Sequence, residues 1–412
     1  ISKYLILLMM VIYTFECFSV FGYHDAYTKM WILRRQSIWI FMIHFLAFLT
    51  LFLRMQEARI LVFYVIQVAL LGSIILLYGF LYPKVSRLVV NNMCMLLAVG
   101  FIMLTRLSYN NAVKQVIIVA ASGVISLFVP VIIRKARFLS RLKLVYAVVG
   151  VAALAAVIVV GRVSNGAMLG FEVAGISVQP SELVKIVFVF FVASSLYRAK
   201  DFRNVVITTI VAALHVLILV ASTDLGAALI VFVVYLVMLY VATRQPLYIA
   251  AGVGAGSVAS VAAYFLFSHV RTRVTVWRDP FAVYNEGGYQ VAQSLFAIGT
   301  VGGFGLGLCQ GLPDKIPVVT TDFIFSAIAE ELGAVFAICI ILICVSCYIM
   351  FLNIAMQLRD SFYKLVALGL GTCYIFQVFL AIGGVIKFIP STGVTLPLVS
   401  YGGSSLLSTM IM

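Results

Sequence analysis

The sequence predicts an all-α, polytopic integral membrane protein, and its composition and the length of its apolar runs carry this prediction. Hydrophobic residues make up 64% of the 412 residues, and charged residues only 10%. This balance exceeds what the core of a water-soluble domain requires. A hydrocarbon core about 30 Å thick takes about 20 apolar residues per helix, so the chain has room for about a dozen spans and little soluble mass.

Apolar windows predict about thirteen helices. They lie near residues 3–22, 37–53, 60–82, 89–108, 112–133, 142–160, 180–197, 204–221, 225–243, 247–268, 323–353, 363–386 and 394–412. Two cationic clusters are predicted to face the cytoplasm by the positive-inside rule: Arg134, Lys135, Arg137, Arg141 and Lys143, then Arg198, Lys200 and Arg203. Alternation places residues 161–179, 269–322 and 387–393 outside, and the long segment 269–322 is where function is expected.

Several classes of function are excluded by what the sequence lacks. The formal net charge is +14, but the cations sit in short loops, without the aromatic-interleaved basic stripe of a nucleic-acid site. The sequence has no GxxxxGK[ST] phosphate loop, and its four histidines are isolated. Its seven cysteines include no CxxC pair, so they predict neither a disulfide framework nor a zinc site.

Ionisable residues inside or beside apolar runs mark the candidate site, because such residues are costly in a membrane. Glu182 opens a helix, and Lys185 follows at i+3, where it can pair with it. The alternative is a helix cap with a structural ion pair, and Asp224 has the same alternative as an N-cap. Asp322 and the pair 330–331 place three carboxylates on the outer part of one predicted helix. We expect the helices that begin near 179 and 322 to converge on one cavity beneath the segment 269–322.

Six ordered motifs together resemble the SEDS family, the RodA/FtsW/SpoVE-type peptidoglycan glycosyltransferases. They are Asn165-Gly166-Ala167 with Gln179 to Lys185, Asp224-Leu225-Gly226, Gly288-Tyr289-Gln290 with Gln293-Ser294 and Ala297-Ile298-Gly299, Thr321 to Phe325, Glu330-Glu331-Leu332-Gly333, and Pro390 to Pro397 with Ser400 to Ser405. The resemblance covers residues 89–412 and implies a ten-helix core. Residues 1–88 would then add about three N-terminal transmembrane helices.

The resemblance implies an enzyme of the bacterial plasma membrane that extends glycan strands from lipid II at the outer face, for cell shape, division or sporulation. A class B penicillin-binding transpeptidase is the implied partner. A base must accept a proton from a sugar hydroxyl, and cations or a divalent metal, Mg²⁺ or Mn²⁺, must stabilise the departing pyrophosphate. The candidate substrate-binding residues are Glu182, Lys185, Asp224, Arg271, Arg273, Gln290, Lys315, Asp322, Glu330, Glu331 and Ser400, and Arg278 is a further candidate pyrophosphate partner.

One position departs from the family pattern. The family carries a catalytic aspartate six residues before the tyrosine of Gly-Tyr-Gln, and this chain has Val283 there. We therefore expect the base to be a neighbouring carboxylate, Asp279 or Glu286, with Asp279 favoured because its Asp-Pro context predicts an extended backbone. The alternatives are a catalytically silent scaffold for a transpeptidase and a flippase of lipid-linked precursors.

Overall fold

The structure is a computed structural model that describes residues 1–136, 138–160, 162–164, 167–173, 176–198, 201–300 and 302–412. Its helices are α1 (Ser2–Gly22), α2 (Ala26–Met55), α3 (Arg59–Leu81), α4 (Arg87–Leu107), α5 (Tyr109–Lys135), α6 (Lys143–Val160), α7 (Pro180–Leu196), α8 (Phe202–Ala221), α9 (Leu225–Thr243), α10 (Pro246–Leu266), α11 (Ser268–Arg278), α12 (Tyr289–Gly299), α13 (Ile324–Leu332), α14 (Ala334–Gln357), α15 (Ser361–Val385) and α16 (Gly403–Ile411). Within the described residues, 10 helices are long and apolar enough to cross a membrane: α1–α5, α8–α10, α14 and α15. The predicted multi-pass, all-α fold is confirmed.

A small antiparallel sheet between α6 and α7 was not predicted. Strand β1 (Arg162–Ser164) pairs with β2 (Ala167–Val173), which pairs with β3 (Ile176–Val178). The sheet occupies the segment 161–179 that we predict to lie outside, so the spans themselves remain helical. Four residues named above lie outside the described residues: Arg137, Asn165, Gly166 and Lys200.

Helix α2 begins at Ala26, well before the predicted start near residue 37. Its first turn is capped by Asp25, whose side chain accepts a hydrogen bond from the Thr28 amide at 2.8 Å. The predicted window started later because this stretch carries the cations Lys29, Arg34 and Arg35. In the fold, however, Arg35 pairs with the buried Glu16 of α1 at 2.5 Å. The charge is thus compensated by a neighbouring helix, which an apolar window does not detect.

The predicted helix 323–353 is two helices, α13 and α14, separated by Gly333. This glycine has φ +96, and a Cβ there would lie 2.5 Å from the carbonyl oxygen of Gly303. The predicted helix 394–412 is helical only over α16, Gly403–Ile411. The prediction is wrong for residues 394–402. Pro397 cannot donate a backbone hydrogen bond, and Leu398 has a left-handed φ of 66.

The buried side chains form two clusters that share α15. One cluster joins α1–α5 with α13, α14 and the C-terminal segment, and the other joins α6–α9. Helix α15 contributes Tyr374 to the first cluster and Cys373 to the second. Helix α10 has no buried residue and lies at the periphery against α9 and α11. The segment 269–322 contains α11 and α12, and it covers the ends of α13 and α15 where the candidate site lies.

Candidate functional site

A cavity of about 270 Å³ lies between α11, α12, the turn before α13 and the chain that follows α15. Its polar lining comes from the segments 269–322 and 387–393, which were both predicted to lie outside. The polar side chains are Thr272, Arg273, Trp277, Gln290, Asp322, Lys387 and Ser391. The two segments therefore meet at one site, which is consistent with their predicted location on the same side of the membrane.

Arg273 is fixed to the wall of this cavity. Its Nη1 donates to the Ser391 carbonyl oxygen at 3.0 Å. A Cβ on Gly393 would lie 3.9 Å from Arg273 Nη2 and 3.8 Å from Asp322 Oδ2, so both side chains approach the same glycine. Burial lowers the pKa of the Arg273 guanidinium, while Asp322 and Asp224 act in the opposite direction. An arginine remains protonated at neutral pH in this setting, so the wall carries a positive charge.

Asp322 is the carboxylate of the cavity, and none of the other described lining residues is Asp or Glu. Burial raises the pKa of this carboxyl, and the Arg273 guanidinium and a hydrogen bond with Thr321 partly offset the rise. The raised pKa means that this carboxylate binds a proton more readily than an exposed aspartate does. Asp322 is therefore suited to accept a proton from a bound hydroxyl.

Lys387 is a second cation of the cavity, and we did not predict it. It has a left-handed φ of 61 just after α15, and its carbonyl oxygen accepts a hydrogen bond from Trp277 Nε1 at 3.2 Å. A lysine just beyond the end of a span is ordinary in sequence, so only the flagged segment 387–393 pointed to it. Two cations against one carboxylate make the cavity suitable for an anionic group.

Lys185 and Glu182 form the predicted ion pair, with 2.8 Å between Lys185 Nζ and Glu182 Oε2. The ammonium also donates to Gln377 Oε1 at 2.7 Å, and Ser408 Oγ donates to Glu182 Oε2 at 3.0 Å. This network is buried and does not line the cavity. The expected convergence is thus half correct, because Asp322 reaches the cavity and Glu182 does not.

Asp224 connects the start of α7 with the start of α9. Its carboxylate accepts hydrogen bonds from Gln179 Nε2 at 3.0 Å, from Ser181 Oγ at 2.9 Å and from the Ala227 amide at 3.1 Å. It is therefore an N-cap, the alternative that the sequence left open, and its charge also acts on Arg273. Asp224 is not part of the cavity lining.

Glu330 and Glu331 are buried at the other end of α13, away from the cavity. Glu331 Oε1 lies 3.1 Å from Arg106 Nε, and Glu330 Oε1 accepts a hydrogen bond from the Leu312 amide at 2.8 Å. The sequence placed these three carboxylates on the outer part of one predicted helix, and in the structure α13 separates Asp322, which precedes it, from the pair near its end. Glu330 thus joins α13 to Leu312 of the segment 269–322, and Glu331 joins α13 to Arg106 of α4.

The remaining predicted residues take structural or exposed positions, except Gln290, which lines the cavity. Ser400 Oγ donates to the Thr321 carbonyl oxygen at 2.6 Å and holds the turn before Asp322 in place. Arg271 is exposed and donates to the carbonyl oxygen of Phe265 at 3.2 Å. Lys315 is exposed, and it does not line the cavity. None of these three residues lines the cavity.

Neither residue that we predicted as the base lines the cavity. The Asp279 carboxylate is exposed and accepts hydrogen bonds from the amides of Phe281 at 3.0 Å and Ala282 at 3.1 Å, which closes a turn. Glu286 is exposed in a short 3₁₀ turn. The Asp-Pro context of Asp279 gives the expected extended backbone, with φ −146 and ψ 92, but it directs the side chain into its own turn. The assignment of the base to either residue has no support from their placement.

Among the described lining residues, Asp322 is the carboxylate that a divalent metal could use. Within the part of the chain that the structure describes, no three His, Cys, Asp or Glu side chains form a group that could hold a metal ion. Mg²⁺ binds through carboxylates and substrate phosphates, and here the one lining carboxylate has Arg273 beside it. The cations of the chain are the groups that can compensate an anion here.

Comparisons with known proteins show the family of this chain. The FtsW/RodA/SpoVE family model, described as "Cell cycle protein", matches residues 86–412. The chain is 38% identical over 267 residues to the peptidoglycan glycosyltransferase RodA of Mycobacterium bovis, covering 60% of this chain and 56% of that protein. It is 33% identical to the probable peptidoglycan glycosyltransferase FtsW of Tolumonas auensis, covering 61% of this chain and 68% of that protein. This chain thus spans little more than half the length of the RodA relative.

Two solved structures share the fold. One belongs to the work described as "Structural coordination of polymerization and crosslinking by a peptidoglycan synthase complex", with a TM-score of 0.68 and 25% identity over 78% of this chain and 94% of that chain. The other is the crystal structure of the rod shape determining protein RodA of Thermus thermophilus, with a TM-score of 0.57 and 24% identity over 80% of this chain and 94% of that chain. The division of the chain at residue 88 stays a prediction, although the family match begins close to it. Because the family model matches well over half of its residues, this chain belongs to the FtsW/RodA/SpoVE family, the SEDS proteins.

Proposed function

We propose that this protein polymerises the glycan strands of peptidoglycan from lipid II at the outer face of the bacterial plasma membrane. The observation that carries the proposal is the cavity in which two cations, Arg273 and Lys387, accompany one carboxylate, Asp322. Relatives named as peptidoglycan glycosyltransferases support it, at 38% and 33% identity.

The cavity offers the two things that the reaction needs. A sugar hydroxyl attacks the anomeric carbon of the donor, the bond to the lipid pyrophosphate breaks, and the hydroxyl proton passes to a base. Arg273 and Lys387 can hold the pyrophosphate and compensate the charge that develops on it as it leaves. Arg273 is already oriented by the Ser391 carbonyl, so less side-chain freedom is lost when the anion binds.

Asp322 is our proposed base in place of the aspartate that Val283 replaces. It lines the cavity beside the cations, and the raised pKa of its carboxyl brings it closer to the range in which proton transfer is efficient. A divalent metal is not required by this proposal, because the two cations can balance the leaving group.

The test is polymer formation by the purified protein from labelled lipid II. We expect Asp322→Asn to lose activity by a factor of at least about 100, the usual effect of removing a general base. Asp279→Ala and Glu286→Ala are matched controls that remove exposed carboxylates of the same outer segment. Full activity in Asp322→Asn together with loss in either alanine variant would refute our assignment and restore the one made from sequence. Addition of a chelator tests the requirement for a metal in the same assay.

A second candidate function is a scaffold that recruits a transpeptidase without polymerising glycan, and Val283 favours it. A class B penicillin-binding protein is the proposed partner in either case, supported by the related chain in a peptidoglycan synthase complex. Co-purification with such a protein tests the partner. An inactive parent that gains polymerase activity with Val283→Asp would establish the scaffold and exclude Asp322 as a sufficient base.

A further inference from the structure

We propose that helix α1 braces the outer loop formed by residues 302–316, and that Lys3 is a positioning residue for α13 and for the Asp322 that precedes it. Helix α1 lies before the family match, which begins at residue 86. The brace itself is a structural claim, and only its effect on catalysis rests on the proposed function.

The first step is a direct contact between α1 and the outer loop. Lys3 Nζ donates a hydrogen bond to the Gly305 carbonyl oxygen at 2.9 Å. The rings of Tyr4 and Phe304 meet edge to face with 5.9 Å between their centroids. A charged donor gives a stronger hydrogen bond than a neutral one, so the loop has a preferred position on α1.

Helix α2 adds a second contact to the same loop. When the Gln310 amide is turned so that its groups face their partners, its oxygen accepts a hydrogen bond from Arg54 Nη2 and its nitrogen donates to the Leu306 carbonyl oxygen. The two N-terminal helices therefore hold the loop at two points, Gly305 and Gln310.

The second step runs from the loop to α13. The amides of Leu306 and Gly307 donate to the carbonyl oxygens of Glu330 at 2.9 Å and Glu331 at 2.8 Å. At Gly305, which has φ +70, a Cβ would lie 2.5 Å from the Gly333 amide nitrogen. The backbone of the loop thus packs against the backbone of the last turn of α13. A displacement of the loop would therefore displace this turn.

The third step is the short length of α13. This helix has 9 residues and starts two positions after Asp322. A helix of this length is not stable alone, so its position is set by the segments packed around it. All nine of its residues are buried, and the loop is one of the segments that contact it. The last turn is held by the loop and by the ion pair between Arg106 and Glu331 at 3.1 Å, and the first turn leads directly to the cavity.

Helix α1 is itself held firmly enough to act as a brace. Tyr13 donates to Asn92 Oδ1 of α4 at 2.8 Å, and the Asn92 amide donates to Ser346 Oγ of α14 at 3.3 Å. Cys17 of α1 shares the same Asn92 oxygen at 3.2 Å. These groups are buried, and polar pairs between spans fix one register of the helices.

The test uses the full chain in nanodiscs and measures hydrogen exchange of the segment 302–316, followed by mass spectrometry. We expect Lys3→Met to raise exchange at Leu306 and Gly307 by about tenfold, the effect of losing one hydrogen bond from a charged donor. Lys3→Arg keeps the charge and should restore most of the protection. Lys84→Met is the matched control, because it removes an exposed lysine just after the end of α3. We expect no change of exchange in the segment 302–316 in this variant.

The activity assay distinguishes a positioning role from a purely structural contact, because a purely structural contact would leave kcat unchanged. If Lys3 positions Asp322, Lys3→Met should lower kcat about tenfold with little change in KM, and Lys3→Arg should recover kcat. Unchanged exchange in Lys3→Met would refute the brace, whether or not the parent polymerises glycan. Raised exchange with unchanged kcat in an active parent would refute the positioning role. Failure of the proposed function would appear separately, as an inactive parent with the exchange pattern intact.

Discussion

Replacing Lys185 with Met should lower the free energy of unfolding by about 3 kcal/mol, because it leaves a buried carboxylate without its cation. The Lys185 side chain is fully buried, and its ammonium is shared between Glu182 at 2.8 Å and Gln377 at 2.7 Å. Methionine has a similar volume, so the cost comes from the lost charge rather than from a void. Glu182 would keep only the hydrogen bond from Ser408 at 3.0 Å.

The measurement is an SDS titration of the protein in mixed micelles, followed by circular dichroism. The double variant Glu182→Gln/Lys185→Met should recover most of the loss, since no uncompensated charge then remains. Arg59→Met is the control, because it breaks an exposed pair with Glu57 and a contact with the Tyr109 ring, which together should cost less than about 1 kcal/mol. A loss below about 1 kcal/mol in Lys185→Met, or no recovery in the double variant, would refute the reasoning that the pair offsets a buried charge.

Three further outcomes follow from the cavity. Arg273→Ala should raise the KM for lipid II at least about tenfold and Arg273→Lys less, since one charge-assisted contact is removed or weakened; an unchanged KM in the alanine variant would exclude a phosphate contact. The polymerisation rate should rise with pH through the raised pKa of Asp322, because the base acts only when it is deprotonated. The midpoint of this rise should lie above the usual aspartate pKa of about 4. If the same rise persists in Asp322→Asn, it belongs to another group. Gly226→Ala should reduce activity by displacing the segment 392–394, as its Cβ would lie 2.3 Å from a Val394 methyl, whereas Gly254→Ala meets nothing within 4 Å and should be neutral.

Most spans were predictable because each is a long apolar run that a window average detects. The prediction failed where a tertiary contact decides the local structure. The charge of Arg35 keeps it out of an apolar window, but in the fold Glu16 of α1 compensates this charge and Arg35 lies within α2. Gly333 was predicted to lie inside one helix, but the backbone of Gly303 packs against it and the helix is interrupted there. Both effects arise from segments that are distant in sequence, so no local pattern records them.

The candidate site was predictable by segment and less so by residue. Charges beside apolar runs pointed to segments that line the cavity, and Arg273, Gln290 and Asp322 are among its lining residues. We favoured Asp279 for its Asp-Pro context in the segment that replaces the family's catalytic loop, but its carboxylate accepts hydrogen bonds from its own turn and does not line the cavity. Which charged groups share a cavity depends on how the segments fold over one another.

The turn that contains Val283 allows the missing aspartate to be tested without rebuilding the loop. The Val283 carbonyl oxygen accepts hydrogen bonds from the amides of Glu286 at 3.0 Å and Gly288 at 2.9 Å. A Cβ on Gly288 would lie 2.1 Å from the Pro280 carbonyl oxygen, so the main chain is closely packed here. These contacts are made by backbone atoms, and an aspartate at 283 would keep them. We therefore expect Val283→Asp to fold with unchanged stability, so that any change in polymerisation reports on the chemistry of the carboxylate. A gain of tenfold or more over an active parent would mean that Asp322 substitutes only partly for the family's base. No gain over an active parent would support Asp322, and a destabilised variant would contradict the view that backbone contacts alone shape the turn.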